Sequence, residues 1–233
     1  MKGKLFLIPS PLGDNKPSEV IPDCTLKTAC SLKCFVVEET RTARRFLSKA
    51  GLRGHIDELE FHELNEHSKQ QDIEALASLF EKGDVGLISE AGLPAVADPG
   101  SALVELCHRQ GIEVVPLVGP SSLMLALMAS GLNGQSFAFR GYLPVKSEER
   151  KAAIKECERM SKNLNQSQII IETPYRNDSF LADLLQHLNP HTRVTVAADL
   201  TLSSQFIRTR TVEQWKKSSC EIGKRPCVFI ILA

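Results

Sequence analysis

Short runs of branched and aromatic residues recur along the chain and limit what it can fold into. They are Leu5–Ile8, Phe35–Val37, Val85–Ile88, Val114–Leu117, Phe137–Phe139, Ile169–Ile171, Val194–Ala197 and Val228–Leu232. Each has the length of a buried strand and falls short of a helix. Between most of them the apolar spacing turns helical. "QQDIEALASLFEKG" sets Ile73, Leu76, Leu79 and Phe80 on one helix face, with Gly83 suited to end it. "PGSALVELCHRQG" does the same with Leu103, Leu106 and Cys107, stopped by Gly111. "NDSFLADLLQHLNP" aligns Phe180, Leu181, Leu184, Leu185 and Leu188, with Asn177 or Asp178 as its expected N-cap. Strand and helix alternating over a whole chain predict an α/β fold.

The 233 residues suffice for two domains. A boundary is expected near Leu117–Pro120, giving an N-terminal α/β domain over 1–117 and a C-terminal α/β domain over 118–233. The second half is less regular: "SFAFRGYLP" reads as a strand and turn, followed by a charged helix from about Ser147 to Lys162 and three more strands. A mixed sheet suits it better than a purely parallel one.

Composition excludes some classes. Lys plus Arg and Asp plus Glu each number 28, so net charge does not mark a strongly basic nucleic-acid binder, although a local basic face is compatible with it. The N-terminal "MKGKLFLIPSPLG" has too short an apolar run for a secretory leader. The apolar stretch at 114–132 is broken by Pro116, Gly119 and Pro120, which fits a strand, a turn and a buried helix rather than a membrane span. The expected location is cytoplasmic, with no membrane partner. Seven cysteines without a C-x-x-C pair read as free thiols.

Three strand ends share one style of loop. "IPSPLGD" ends the first in Pro9, Pro11 and Gly13. "ISEAGLPAVADPG" ends another in small residues and prolines. "LVGPSSL" ends a third. Ligands of open α/β sheets sit outside the carboxyl ends of the strands. Glycine allows close backbone approach there, and proline stiffens a loop without needing a donor. Each loop alone reads as an ordinary turn; together they predict a small-molecule pocket between the halves. None matches G-x-G-x-x-G or a phosphate-binding P-loop, so neither a dinucleotide nor a nucleotide-phosphate cradle is expected.

Other stretches carry charge. In "FHELNEH" His62 and His67 are five apart, roughly 140° around a helix, whereas H-E-x-x-H needs four. No metal site is expected, and the stretch reads as a solvated loop or helix start. "EETRTARRFL" holds Glu38 and Glu39 at a strand end, then Arg41, Arg44 and Arg45. It reads equally as a charged helix start or as a site edge facing phosphate. "IETPYRN" puts Glu172, Tyr175 and Arg176 just past a buried strand.

Together "IPSPLGD", "EETRTARRFL", "FHELNEH", "VGLISEAGLPAVADPG", "VVPLVGPSSLMLALMASGL", "FRGYLPVKSEER" and "IETPYRN" resemble the tetrapyrrole methylase family of S-adenosylmethionine (SAM) dependent methyltransferases. They are most similar to the branch that methylates a cytidine ribose 2′-hydroxyl of 16S ribosomal RNA. The resemblance runs in order from Leu5 to about Leu232. It implies two α/β domains with SAM in the cleft between them, and a homodimer. It implies that Ser89, Glu90, Ala91 and Gly92 lie against the amino-acid end of SAM, with Gly92 and Pro94 fixing the turn and Asp98 launching the next helix. Pro9, Pro11 and Gly13 would wall the transferred methyl. Ser121 and Ser122 would bond the cofactor, and Tyr142, Leu143 and Pro144 would border the adenine. The chain departs from that branch at "SEAGLP" for S-D-A-G-T-P, at "EETR" for E-D-T-R, and over 197–209 and 223–227, where the presumed substrate side has drifted.

Methyl transfer to a ribose hydroxyl needs positioning and removal of a proton. Glu39, Glu38 and Glu172 are the candidate bases, by placement at strand ends. Arg41, Arg44, Arg45, Tyr175 and Arg176 are the candidate substrate contacts, and Lys146, Arg150 and Lys151 would also meet phosphates. The leading expectation is methylation of ribosomal RNA, free or in the small subunit. The alternatives are methylation of a small molecule or tetrapyrrole-like ring, and a SAM-binding module without turnover.

Overall fold

The computed structural model describes residues 2–233. The chain divides into two compact units, the first running to Ser121 and the second starting at Ser122.

The first unit runs β1 (Leu5–Ile8), α1 (Pro17–Val20), α2 (Asp23–Ser31), β2 (Cys34–Val37), α3 (Thr40–Leu47), β3 (Glu60–Glu63), α4 (Gln70–Ala75), α5 (Leu79–Lys82), β4 (Val85–Ile88), α6 (Ser101–Arg109) and β5 (Val114–Pro116). Its five strands lie in the order β3-β2-β4-β1-β5, and every pairing is parallel. A parallel sheet must be covered on both faces, and the branched runs supply apolar side chains to both. On one face Ile8, Phe35, Val37 and Ile88 meet α2 and α3 through Leu26, Ala29, Phe46 and Leu47. On the other, Leu5, Val36, Val85 and Leu87 meet Leu79 and Phe80 of α5 and Leu103 and Leu106 of α6.

That arrangement sets where a site can form. The chain leaves β1 toward the α2 face and leaves its neighbour β4 toward the α6 face. Adjacent strands whose connections part to opposite faces open a crevice at their carboxyl ends. Gly86 keeps the middle of β4 thin: a Cβ there would stand 2.7 Å from Ile8 Cδ1 and 2.8 Å from Phe35 Cδ1.

The second unit runs α7 (Ser122–Ser130), β6 (Phe137–Tyr142), α8 (Ser147–Leu164), β7 (Ser167–Ile171), α9 (Asn177–His187), β8 (Arg193–Ala198), β9 (Phe206–Thr211), α10 (Val212–Lys216) and β10 (Cys227–Leu232). Its sheet, β6-β7-β10-β8-β9, is mixed, as the irregular second half predicts: β6 pairs with β7 in parallel and the rest are antiparallel. Its core gathers Ile170, Val196 and Phe229 with Ile154 of α8, Phe180 and Leu184 of α9, and Trp215 of α10. The Trp215 indole N–H donates to Val194 O at 2.9 Å, which satisfies the one polar atom this large side chain takes inside.

Several local expectations are corrected. The helix over 70–82 is interrupted by a tighter turn at Leu76–Ser78. Residues 60–63 form edge strand β3, not a solvated loop or helix start, because Phe61 stacks on Phe35 with ring centroids 5.8 Å apart. Strand β9 escapes the sequence pattern because its polar residues alternate with few branched ones. It is held by pairing with β8 and by a Thr195–Thr209 hydroxyl contact of 2.7 Å. Neither Asn177 nor Asp178 caps α9. The Asn177 amide is buried and donates to Gly223 O and Arg225 O, and the Asp178 carboxylate accepts from the Ile222 and Gly223 amides. Both side chains tie the 222–225 loop to the helix start instead. All seven cysteines are free thiols. Among the described residues no helix is long and apolar enough to cross a membrane.

Candidate active site

The three loops at the carboxyl ends of β1, β4 and β5 converge within the first unit. Ser10 and Gly92 exchange backbone hydrogen bonds, Ser10 N to Gly92 O at 2.9 Å and Gly92 N to Ser10 O at 3.1 Å. The Ser10 hydroxyl donates to Ser89 O at 2.8 Å. Gly119 packs flat on the Pro9 ring; a Cβ there would lie 2.2 Å from Pro9 Cγ, so no side chain fits. Gly92 has φ 77°, and a Cβ on it would press on Leu12 at 3.3 Å. The glycines and prolines of these loops thus serve a close backbone packing that the sequence alone marks only as turns.

Between the first two loops and α3 lies a cavity of about 300 Å³. Ser10 to Asn15 form one wall, Ser89 to Ala91 another, and Thr42, Arg45, Phe46 and Lys49 of the helix and the turn after it a third. Of the expected cofactor contacts, Pro11, Gly13, Ser89, Glu90 and Ala91 line it, whereas Pro9, Gly92, Pro94, Asp98, Ser121 and Ser122 do not. Tyr142 ends β6 in the second unit and is exposed, as is Pro144, while Leu143 is buried.

The loop after β4 is strained, which sequence reasoning missed. Ala95 and Ala97 sit at φ 64° and 60°, the left-handed region, which costs a non-glycine residue about 1 kcal/mol each. Asp98 braces the segment on either side of Ala97. Its Oδ1 accepts from Ala95 N at 2.7 Å and Gly100 N at 2.8 Å. Burial pushes this carboxyl above its ordinary 3.8, and the two amides partly oppose that rise. Asp98 therefore braces the loop as well as leading into α6, which begins at Ser101.

The three candidate bases differ sharply. Glu39 is the N-cap of α3: its carboxylate accepts from Arg41 N at 2.9 Å and Thr42 N at 2.6 Å, and from the Thr42 hydroxyl at 2.6 Å. The Thr42 hydroxyl bond and the two amides hold its pKa below the ordinary 4.5, which makes it a poor base. Glu172 is buried, with 1% of its side chain exposed, and is spent on Arg176 Nη2 at 2.6 Å and on Thr173 N. Glu38 is half-buried and lightly held, its one hydrogen bond coming from Glu90 N at 3.4 Å. Desolvation first, then the charges of Glu90, Asp98 and Glu66, push it above 4.5.

The basic residues also sort themselves. Arg45 lines the cavity, and Lys49 beside it pairs with Asp14 at 2.5 Å. Arg41 is exposed. Arg44 is turned away, paired with Asp57 and lying over the Phe61 ring. Arg176 is committed to Glu172, while Tyr175 is 80% exposed beneath Lys224. The expectation that Arg150 meets phosphate fails: it is largely covered and lies 2.7 Å from Asp183 on α9. Lys146 and Lys151 pair with Glu149 and Glu148 on their own helix.

A parallel sheet covered on both faces, with a loop-walled cavity at the carboxyl ends of its strands, is the α/β architecture in which ligands bind at a switch point. Over residues 25–215 the chain matches the family described as Tetrapyrrole (Corrin/Porphyrin) Methylases. The chain belongs to this family, as its motifs indicate, and it is a methyltransferase. It is 33% identical over 205 residues to the ribosomal RNA small subunit methyltransferase I of Vibrio cholerae, covering 88% of this chain and 67% of that one. It is 34% identical to the protein of the same name from Thermotoga maritima, covering 91% and 90%. Among solved structures it resembles the uroporphyrin-III C-methyl transferase of Thermus thermophilus complexed with S-adenyl homocysteine. The TM-score is 0.57 at 16% identity, with 99% of this chain and 97% of that one covered, a likeness of fold.

Proposed function

We propose that the protein transfers a methyl group from SAM to a ribose 2′-hydroxyl of 16S ribosomal RNA in the cytoplasm. The observation that carries this reading is the close relation, over about nine-tenths of the chain, to proteins named for the small-subunit RNA. When bound, SAM supplies a methyl carried on a sulfonium. The acids at the carboxyl end of the first sheet suit such a cation, since the charges of Glu90, Asp98 and Glu66 all raise the cost of ionising Glu38, a cost that a bound positive charge would offset. Ser89 to Gly92 would hold the amino-acid end, and Pro9 to Gly13 would wall the reacting centre.

Glu38 is the candidate left to take the hydroxyl proton, since Glu39 and Glu172 are committed elsewhere; it stands behind the cavity wall and is tied to it through Glu90 N. Its raised pKa makes it a stronger base than Glu39, whose pKa is lowered. Glu38→Gln is expected to lower kcat by about a hundredfold and to raise the thermal midpoint at pH 7. The sign follows from its shift. Below 4.5 both folded and unfolded chains hold the proton, so the substitution gains nothing there. Above the raised folded value the wild type carries a desolvated charge that the amide lacks. Melting curves at pH 4 and pH 7 that move equally on substitution would refute this.

Arg41 and Arg45 supply the phosphate contacts in this reading. Arg41→Ala combined with Arg45→Ala is expected to raise KM for the RNA substrate about tenfold with little change in kcat, and to reduce the salt slope of binding by about 1–2. A salt slope equal to that of the wild type would remove both residues from the interface. We further propose a homodimer, supported by exposed apolar side chains at Met124 and Met128 of α7 and at Phe137 and Phe139 of β6. Light scattering of the purified chain measures it.

The function itself is tested by tritiated methyl transfer from SAM into small ribosomal subunits. Subunits from cells lacking the gene are compared with wild-type subunits. Label entering only the deficient subunits, and mapping to one ribose, is the expected result. SAM binding without label would turn the search to small-molecule acceptors.

A further inference from the structure

The strand register assembles a second cluster of chemistry-bearing groups, at the opposite end of the first sheet from the cavity. Cys34 opens β2 and Glu60 opens β3, and the two are paired in register. His62 lies two residues along β3, so it returns to the same face as Glu60. A thiol, a carboxylate and an imidazole thereby project side by side, with one ligand atom of each lying within 4.8 Å of the others. His62 Nε2 stands 2.8 Å from Glu60 Oε1. Cys34 and Glu60 also line a second cavity, of about 450 Å³, beside Glu58 and Lys82.

We propose that Cys34, Glu60 and His62 bind one divalent transition-metal ion of the zinc type. The donor set carries the assignment. Thiolate and imidazole together select zinc and its neighbours over calcium or magnesium, which take oxygen ligands. Three protein ligands leave a fourth position for water; Glu58, on the same cavity, is taken up by His55 and Lys33. A tetrahedral ion with bonds of about 2.0–2.3 Å needs its ligands on the order of 3.5 Å apart, so closing the cluster takes side-chain shifts of about 1 Å. Glu60 and His62 sit on an edge strand with exposed or half-exposed side chains, which gives them that freedom. The Cys34 thiol is pushed up to about 11, first by burial and then by Glu60. An ion opposes both effects and displaces the thiol proton to solvent. The ion would link β3 to β2 by coordination, adding to their backbone pairing.

This site is independent of the methyl-transfer reading, because it shares no residue with the cavity at the other end of the strands. The test is titration of the metal-free full-length protein with Co²⁺, followed by Zn²⁺. One Co²⁺ per chain is expected, with a thiolate-to-cobalt charge-transfer band in the near ultraviolet that Zn²⁺ abolishes. Cys34→Ser is expected to remove the band. His62→Ala and Glu60→Gln are expected to weaken binding tenfold or more, while His67→Ala and Cys24→Ser leave it unchanged. Glu60 is exposed, so Glu60→Gln reports on binding in a chain that still folds. Binding without the band, a band that survives Cys34→Ser, or an affinity indifferent to Glu60→Gln and His62→Ala would overturn the assignment.

Discussion

Asp98→Ala is expected to lower kcat on the order of a hundredfold while removing only about 1–3 kcal/mol of stability. The loss of stability follows from two amides, Ala95 N and Gly100 N, that now bond one half-buried oxygen. The loss of rate is larger because Asp98 braces the left-handed backbone at Ala95 and also bonds the Ser89 side chain, which lines the cavity. Once released, the loop relaxes and the Ser89 side chain shifts, even though Ser10 still holds the backbone at Ser89 and Gly92. Misplacement by about 1 Å is enough for a hundredfold loss where positioning carries the rate. Asp98→Asn keeps an oxygen at the Oδ1 position and is expected to recover most of the activity. Steady-state kinetics beside thermal melts separate the two effects. A kcat within a few-fold of wild type in Asp98→Ala would show that the loop does not depend on this brace.

Glu172→Ala is expected to destabilise the protein by about 3 kcal/mol, because it strands Arg176. The Arg176 side chain is 26% exposed, which lets water recover part of its charge and places the effect at the low end for a broken buried pair. Removing both partners, Glu172→Ala with Arg176→Ala, is expected to restore much of the stability. The double variant separates a structural pair from a catalytic base. A base would give a large drop in kcat with an unchanged melting midpoint in Glu172→Gln, and no recovery in the pair. Denaturant unfolding of the three variants measures the outcome.

Much of the fold was legible in the sequence because burial leaves a pattern. Val85–Ile88 and Val228–Leu232 are apolar at nearly every position, and both are interior strands with neighbours on either side. The edge strands β3 and β9 were not legible. Glu60–Glu63 and Phe206–Thr211 each have one side facing solvent, so their polar residues mask the strand. The mixed character of the second sheet came through, since its strands were interrupted by helices less regularly than those of the first. The loops after β1 and β4 could be named from their glycines and prolines and from family resemblance. Their mutual bonding through Ser10 and Gly92 could not, because it joins residues far apart in the chain.

Charge was the least readable property. Glu38 and Glu39 are adjacent and chemically alike, yet one caps a helix and the other lies half-buried among acids with a raised pKa. Arg44 and Arg45 are neighbours as well, and one turns to Asp57 while the other lines the cavity. The sequence by itself determined the strands that had to be buried, the helices that cover them, the family and the loops that matter. Only the tertiary structure decided which carboxylate is left with its basicity, which arginine reaches the cavity, and which cysteine meets a histidine. Hydrophobic patterning is local and periodic, so a chain displays it. A charged group's protonation and reach depend on what the fold brings within a few ångströms, and that is set by register and topology.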